Sequence, residues 1–376
     1  MTQKISQIQY RVALSLMRGV TPDFIRHLEN SGITPEDFFS LTDKELIATL
    51  DLKPPYNIVD RYKRDEAIFR SRIEVEKMEH HKITGLFLGD DNYPWRLENL
   101  PDAPVMVYVL GDADLNFLHP ISIVGTRRCT AAGLEFTSKF VSDLGGYFND
   151  LCVISGLAYG IDAEAHKAAL QNGLKTVAVV AHGLDTLYPA AHRELAKSII
   201  RSGGAIVSEY PFGTKPFRGH FLQRNRIVAG LSDAITIVES EIKGGAMSTA
   251  SLAFNYNKDV FAVPGRVSDL ASSGCNHLIR RHKANLLTSA ADVIEITDWT
   301  PIGISIPPGT RSLFPEIEGD AKKIYDYLRF TSEPQLIDSI HHNLHIPMAP
   351  LMSLLSELEF DGIITKLPGN RYELSL

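Results

Sequence analysis

Short apolar runs recur between residues 121 and 263: ISIV (121–124), LCVI (151–154), TVAVV (176–180), AIV (205–207), AITIV (234–238) and VFAV (260–263). Nothing else in the chain restricts the possible folds as much. The runs are apolar at consecutive rather than alternating positions, the mark of strands buried on both faces. Stretches with helical character separate most of them, at 131–144, 161–171 and 192–201. Strands joined by crossover helices specify a mostly parallel sheet covered on both sides. The expected fold class is α/β, with a Rossmann-like domain over residues 81–298.

The flanks read differently. Residues 1–80 show helices only. Ile8, Val12, Leu14 and Leu16 begin an apolar face, and Gly19-Val20-Thr21-Pro22 makes a turn in which Thr21 can cap a helix starting at Pro22. Another helix opens at Leu41-Thr42-Asp43, and 60–78 reads as a longer, charged one. A small helical domain of SAM or helix-hairpin-helix kind fits. Such hairpins can grip a DNA backbone, but Lys plus Arg equals Asp plus Glu over residues 1–78, twelve against twelve. A packing or interaction role is therefore expected.

Residues 299–315 contain prolines and glycines without periodicity and read as a linker. In 316–376, helical stretches at 321–330, 333–342 and 348–360 precede short strands at 363–366 and 372–374 around Pro368-Gly369-Asn370. That order is a winged helix. It holds five Lys or Arg against ten acids, and its presumed recognition helix carries Glu357 and Glu359 and no cation. A duplex reader is basic there, so protein contact or regulation is expected instead.

Composition narrows the class. No apolar run approaches membrane-spanning length, and the start MTQKISQIQYRV lacks a signal-peptide apolar core. Cys129, Cys152 and Cys275 have no metal-ligand spacing. A reduced, cytoplasmic protein without membrane partner, metal or cofactor is expected. The net charge of -7 argues against a protein that coats nucleic acid with its whole surface, but leaves room for a local basic groove.

Such a groove has a candidate. Residues 211–231, PFGTKPFRGHFLQRNRIVAGL, contain no acid, and interleave Lys215, Arg218, Arg224 and Arg226 with Phe212, Phe217 and Phe221. Cations hold a phosphate backbone and aromatic faces stack unpaired bases, a mixture suited to single strands. The strands also deliver small-residue loops to one sheet edge: Gly125-Thr126-Arg127-Arg128, Ser155-Gly156-Leu-Ala-Tyr159-Gly160, and Lys243-Gly244-Gly245-Ala-Met-Ser-Thr249. Glycines allow close phosphate approach, and the helix starts that follow carry free N–H groups. Ligands of doubly wound sheets bind at that edge. Neither G-x-G-x-x-G nor a P-loop is present.

Catalytic readings are weaker. No G-x-S-x-G surrounds Ser155, and Asp162 with His166 suggests no third ligand. Glu209 and Glu239 lie at strand ends, where they could act as bases, but no nucleophile stands near them in sequence. Asp185 and Tyr188-Pro189 read as turn formers. His341, His342 and His345 read as solvated.

Taken in order, Ile123-Val-Gly-Thr-Arg127, Ser155-Gly-Leu-Ala-Tyr-Gly-Ile-Asp162 with Ala165-His166, Gly183-Leu-Asp185 with Tyr188-Pro189, Ser208-Glu209-Tyr-Pro211, Arg224-Asn-Arg-Ile-Val-Ala-Gly-Leu-Ser232 and Val263-Pro-Gly265 with Gly274-Cys-Asn276 resemble the DNA-processing protein A (DprA/Smf) family. The resemblance covers about residues 83–296. It implies a cytosolic bacterial protein that binds single-stranded DNA and hydrolyses nothing. It further implies protection of incoming strands in natural transformation, loading of the RecA recombinase, and a homodimer formed through the Rossmann-like domain. By motif it places Arg127, Gly156, Arg224, Asn225, Arg226 and the Gly244-Gly245 loop in the binding pocket, beside Gly125, Thr126 and Ser155. Lys215, Phe217, Arg218 and Phe221 join them from the residues themselves. Phosphates are expected on Arg127, Arg224, Arg226 and the loop amides, with a base on Phe217 or Phe221. Tyr159 stands where the family often has Lys or Arg, and Leu222-Gln223 replaces a proline-containing lead. The Gly244-Gly245 turn is also similar to the phosphate loop of LOG-type phosphoribohydrolases, but Ala250, Ser251 and Leu252 follow it where those enzymes carry a catalytic glutamate.

Overall fold

Thr21, Thr34 and Thr42 set where three of the N-terminal helices of the computed structural model begin. The structure describes residues 6–53, 55, 57–297, 299–301, 319–331, 334–360, 363–367 and 370–374. After α1 (Gln7–Leu16), Thr21 caps α2 (Pro22–Asn30) by accepting from the Phe24 amide, and Pro22 holds the first helical position. Capping boxes, Thr34 with Asp37 and Thr42 with Glu45, start α3 (Pro35–Ser40) and α4 (Asp43–Thr49). The long α5 (Arg61–His81) is tied to them by Arg64. That side chain is fully buried and donates to the Val59, Phe38 and Leu41 carbonyls at 3.0, 2.6 and 2.8 Å and to Asp43 at 2.5 Å.

An α/β sheet follows. In chain order come β1 (Ile83–Phe87), α6 (Trp95–Glu98), β2 (Met106–Leu110), β3 (His119–Val124), α7 (Ala131–Tyr147), β4 (Leu151–Ser155), α8 (Ile161–Gln171) and β5 (Lys175–Val179). Then come α9 (Arg193–Arg201), β6 (Ala205–Ser208), α10 (Arg218–Gly230), β7 (Ala234–Ile237), α11 (Gly245–Asn255), β8 (Asp259–Ala262), α12 (Ser273–Arg280), β9 (Asn285–Leu286) and α13 (Ala290–Thr297). The strands lie in the order β1-β2-β6-β5-β4-β3-β7-β8-β9. From β6 to β9 all pairs are parallel; β1–β2 and β2–β6 are antiparallel. The central strand β3 pairs Ile121 with Val153 of β4 on one side and Ala234 of β7 on the other. The winding reverses there, which opens a crevice beyond Val124.

Two apolar layers cover the sheet. Phe140, Val141, Leu144, Ile161 and Ala165 of α7 and α8 pack on Ile121, Ile123 and Val153. On the other face Ile227, Val228, Ala250 and Ala253 of α10 and α11 pack on Ile154, Val177 and Ile235. That second core runs without a break into Val12, Leu14, Phe38, Met78, Met106 and Tyr108. The boundary expected near residue 80 is therefore not a break in packing, because α1 and α5 cover β1 and β2. The chain parts instead into units spanning residues 1–302 and 303–376.

The second unit contains α14 (Gly319–Phe330), β10 (Gln335–Leu336), α15 (Ile337–Leu344), α16 (Met348–Phe360), β11 (Ile364–Leu367) and β12 (Arg371–Leu374). The strands form a β10-β12-β11 sheet, and Ile324, Ile340, Leu351, Leu355 and Ile364 make its core. This is a winged helix, with a small strand ahead of α15 that the sequence reading places inside a helix. The expected linker lies outside the described residues except at 299–301, as do Pro368 and Gly369 of the expected turn. Among the described residues, no helix is long and apolar enough to cross a membrane.

Candidate nucleic-acid interface

The crevice beyond β3 is a cleft of about 880 Å³, bounded by the loops after β3, β4 and β7 and by one flank of α10. It gathers Gly125, Thr126, Arg127, Gly156, Arg218, Phe221, Arg224, Asn225, Gly244 and Gly245 from the residues singled out in sequence. It adds Arg128, Lys243 and Ser248, which the sequence reading passes over inside quoted loops. The Thr126 amide donates to the Glu239 carbonyl at 2.7 Å, and its hydroxyl accepts from the Arg128 amide at 3.2 Å, fixing the turn that carries both arginines. Arg127, Arg128, Arg218 and Lys243 are exposed, and among the described residues none of them sits in an ion pair.

An aromatic wall adjoins these cations. The Arg127 guanidinium lies 5.4 Å from the centre of the Phe221 ring, and Phe221 meets Tyr188 at 5.8 Å. Tyr159 and Pro189 complete a small recess with them. The Tyr188–Pro189 peptide is cis. Tyr159 and Tyr188 are 46 % and 45 % exposed, so aromatic surface faces solvent beside the positive charge. In sequence Tyr188 reads as a turn former only.

Arg224 is placed otherwise than expected. It is 5 % exposed, and its Nη1 donates to the Gly156 carbonyl at 2.8 Å and also to the Val179 carbonyl. Its Nε donates to Asn225 Oδ1 at 3.3 Å. The Asn225 amide nitrogen in turn donates to Ser248 Oγ at 2.9 Å, and that hydroxyl to the Gly245 carbonyl at 2.7 Å. Arg224 thus joins the ends of β4 and β5 to α10, and forms the cleft floor as a structural tie. Buried Asp162 lies close by. Burial raises its pKa, while the Arg224 charge and the Ala158 and Gly125 amides pull the other way.

Arg226 and Ser155 also lie elsewhere than the sequence suggests. Arg226 pairs with Glu209, lies 4.0 Å from Asp102 and does not line the cleft. Two residues along a helix is about 200° of rotation, so Arg224 and Arg226 point to opposite flanks. Ser155 is fully buried and donates to the Ile123 carbonyl at 2.6 Å. Lys215 and Phe217 are exposed but do not line the cleft.

The remaining polar candidates serve the scaffold. Glu239 accepts from the Thr130 amide at 2.9 Å and hydroxyl at 2.5 Å, supporting the cap of α7. His166 is fully buried, bonded to Thr176 Oγ1 at 2.7 Å, and desolvation pushes its pKa down to about 3. Asp185 accepts from the Gly213 amide at 2.9 Å, tying the turn to the start of the basic stretch.

Comparison with known proteins gives a consistent result. Residues 84–298 match the family model for DNA recombination-mediator protein A, and residues 308–370 that for the DprA winged helix domain. The DNA processing protein DprA of Streptococcus pneumoniae is 39% identical over 236 residues, 61% of this chain and 82% of that one. Protein Smf of Synechocystis is 33% identical over 329 residues, 78% of this chain and 81% of that one. The X-ray structure of the Streptococcus pneumoniae DprA superposes with a TM-score of 0.58 at 35% identity, covering 73% of this chain and 98% of that one. The Helicobacter pylori DNA processing protein A, whose structure concerns its single-stranded DNA binding mode, gives 0.52 at 32% identity, covering 57% and 95%.

Proposed function

Since the chain belongs to the DprA/Smf family of DNA processing proteins, we propose that it is a non-catalytic single-stranded DNA-binding recombination mediator. One observation carries this reading: four exposed cations, none in an ion pair among the described residues, converge from three separate segments onto one cleft beside exposed aromatic rings. Phosphates engage Arg127, Arg128, Arg218, Lys243 and the amide of Gly245 at the start of α11, while the Gly244 amide donates to the Glu241 carbonyl. A base stacks on the exposed ring of Tyr159 or Tyr188 beside Phe221. The likeness to the Helicobacter pylori protein supports the same ligand class. Protection of incoming strands in natural transformation, loading of RecA, a homodimer through the sheet domain and a cytoplasmic location follow from the family reading.

The test is fluorescence anisotropy of labelled oligo-dT and of a duplex at two salt concentrations, with the wild type and an Arg127→Ala/Lys243→Ala variant. Tight strand binding, weaker duplex binding and loss in the variant are expected. Equal duplex binding, untouched by the variant, would sink the reading.

A further inference from the structure

Helix α10 divides the basic stretch between two surfaces. Arg218, Phe221 and Asn225 share the flank that lines the cleft, whereas His220 and Gln223 lie on another flank, as 100° per residue requires. There the His220 ring stacks on Tyr210, centroids 4.3 Å apart and planes 28° apart. The Tyr210 hydroxyl donates to Gln223 Oε1 at 3.0 Å. Phe217 meets His220 edge-on at 5.6 Å and 74°. This exposed ring therefore rests on a braced pair, yet 64 % of its residue surface faces solvent. Lys215 and Arg218, both exposed, flank it in sequence.

Phe217 also occupies the N-cap of α10, with extended backbone and no side-chain cap bond. Serine, threonine, asparagine or aspartate there would bond a free amide and stabilise the helix; phenylalanine does not. It contributes little to packing and nothing to capping. The residue is ill suited to the helix and well suited to an exposed aromatic platform between two cations.

We propose that Phe217 is a second stacking station for single-stranded DNA, outside the cleft. One nucleobase lies on its free face, Lys215 and Arg218 meet the flanking phosphates, and the strand passes from the cleft around the N-terminal end of α10. This rests on the single-strand reading of the cleft.

The experiment measures anisotropy of oligo-dT from about 4 to about 16 nucleotides, the range of single-strand site sizes. It compares the wild type, Phe217→Ser and the cleft variant Lys243→Ala. Phe217→Ser supplies a cap, so a thermal melt should show stability retained or raised. The shortest strands that bind should hold as before, while the longest lose about tenfold in affinity, as for one stacked base. Lys243→Ala should weaken every length. Equal affinity of wild type and Phe217→Ser for the longest strands, or an equal loss at every length, would overturn the second station and leave the cleft reading intact. Failure of the wild type to bind any oligo-dT would remove both.

Discussion

Arg224 Nη1 lies 2.8 Å from the carbonyl oxygen of Gly156, and the guanidinium is closed off from solvent. An arginine in this position is spent on the backbone of its own protein. Replacing it by alanine leaves two carbonyls without their donor and Asp162 buried without its compensating charge. Arg224→Ala should cost about 3 kcal/mol of stability or more, since each of the two hydrogen bonds from the charged guanidinium contributes about 1.5–3 kcal/mol. Urea unfolding would measure it. A variant as stable as wild type that had lost only DNA binding would restore Arg224 as a direct ligand.

The cleft cations should behave in the opposite way. Arg127→Ala and Lys243→Ala each remove an exposed charge that has no ion pair among the described residues, so stability should stay within about 0.5 kcal/mol. Each lost phosphate contact should flatten the plot of log affinity against log salt by about 0.7 on single strands. Titrations of oligo-dT over a salt series would read it directly. Arg226→Ala should leave that slope unchanged, since Arg226 is engaged by Glu209.

Two glycines separate packing from ligand approach. A Cβ on Gly156 would lie 2.5 Å from the Arg224 guanidinium, whereas a Cβ on Gly245 meets nothing within 4 Å. Gly156→Ala should lower the melting temperature. Gly245→Ala, at the first turn of α11, should hold or raise it, because alanine is the better helix former by about 1 kcal/mol. If a phosphate comes close to that loop, Gly245→Ala should still weaken oligo-dT binding. Melting and anisotropy on the same two variants would show it.

Much of this arrangement is written locally in the sequence. Strands β3 to β8 are legible because burial on both faces demands consecutive apolar residues, and their glycine-bearing ends mark the cleft edge. Strand β1 is harder to see: Thr84 and Gly85 interrupt it, and its pairing with β2 is antiparallel across a loop containing Pro94, Pro101 and Pro104. The fates of the arginines are not legible at all. Helix phase sets Arg224 and Arg226 on opposite flanks, but what each flank meets is decided by distant partners: Gly156 and Val179 for one, Glu209 for the other. Tyr188 joins the cleft wall through contact with Phe221, 33 positions away in the chain, which no local pattern encodes.

Buried His166 sets a pH dependence. The Thr176 hydroxyl already donates to the Val153 carbonyl at 2.6 Å, so it accepts from His166 Nδ1–H, and the ring is neutral. With a folded pKa near 3 against an ordinary 6.5, the unfolded chain binds the extra proton first. Its contribution is complete above pH 6.5 and is lost as pH falls toward 3, by up to about 1.4 kcal/mol per pH unit. Asp162, raised by burial, acts with the opposite sign from its ordinary 3.8 upward. Denaturant unfolding at several pH values between 7.5 and 5 should show stability falling in the wild type and a flatter line in His166→Gln.

The continuous core that joins Val12, Leu14 and Met78 to Met106 and Tyr108 changes what a shortened chain would mean. Cutting at the sequence boundary near residue 80 would strip the covering from β1 and β2 and expose their apolar faces. A truncated protein that aggregated or lost DNA would then be reporting an uncovered sheet. The separate contribution of the N-terminal helices is better sought by point changes on their outer surface, for example at exposed Tyr62 and Phe69. In the same way, exchange of this segment between relatives during evolution would succeed only where the recipient's first two strands changed with it.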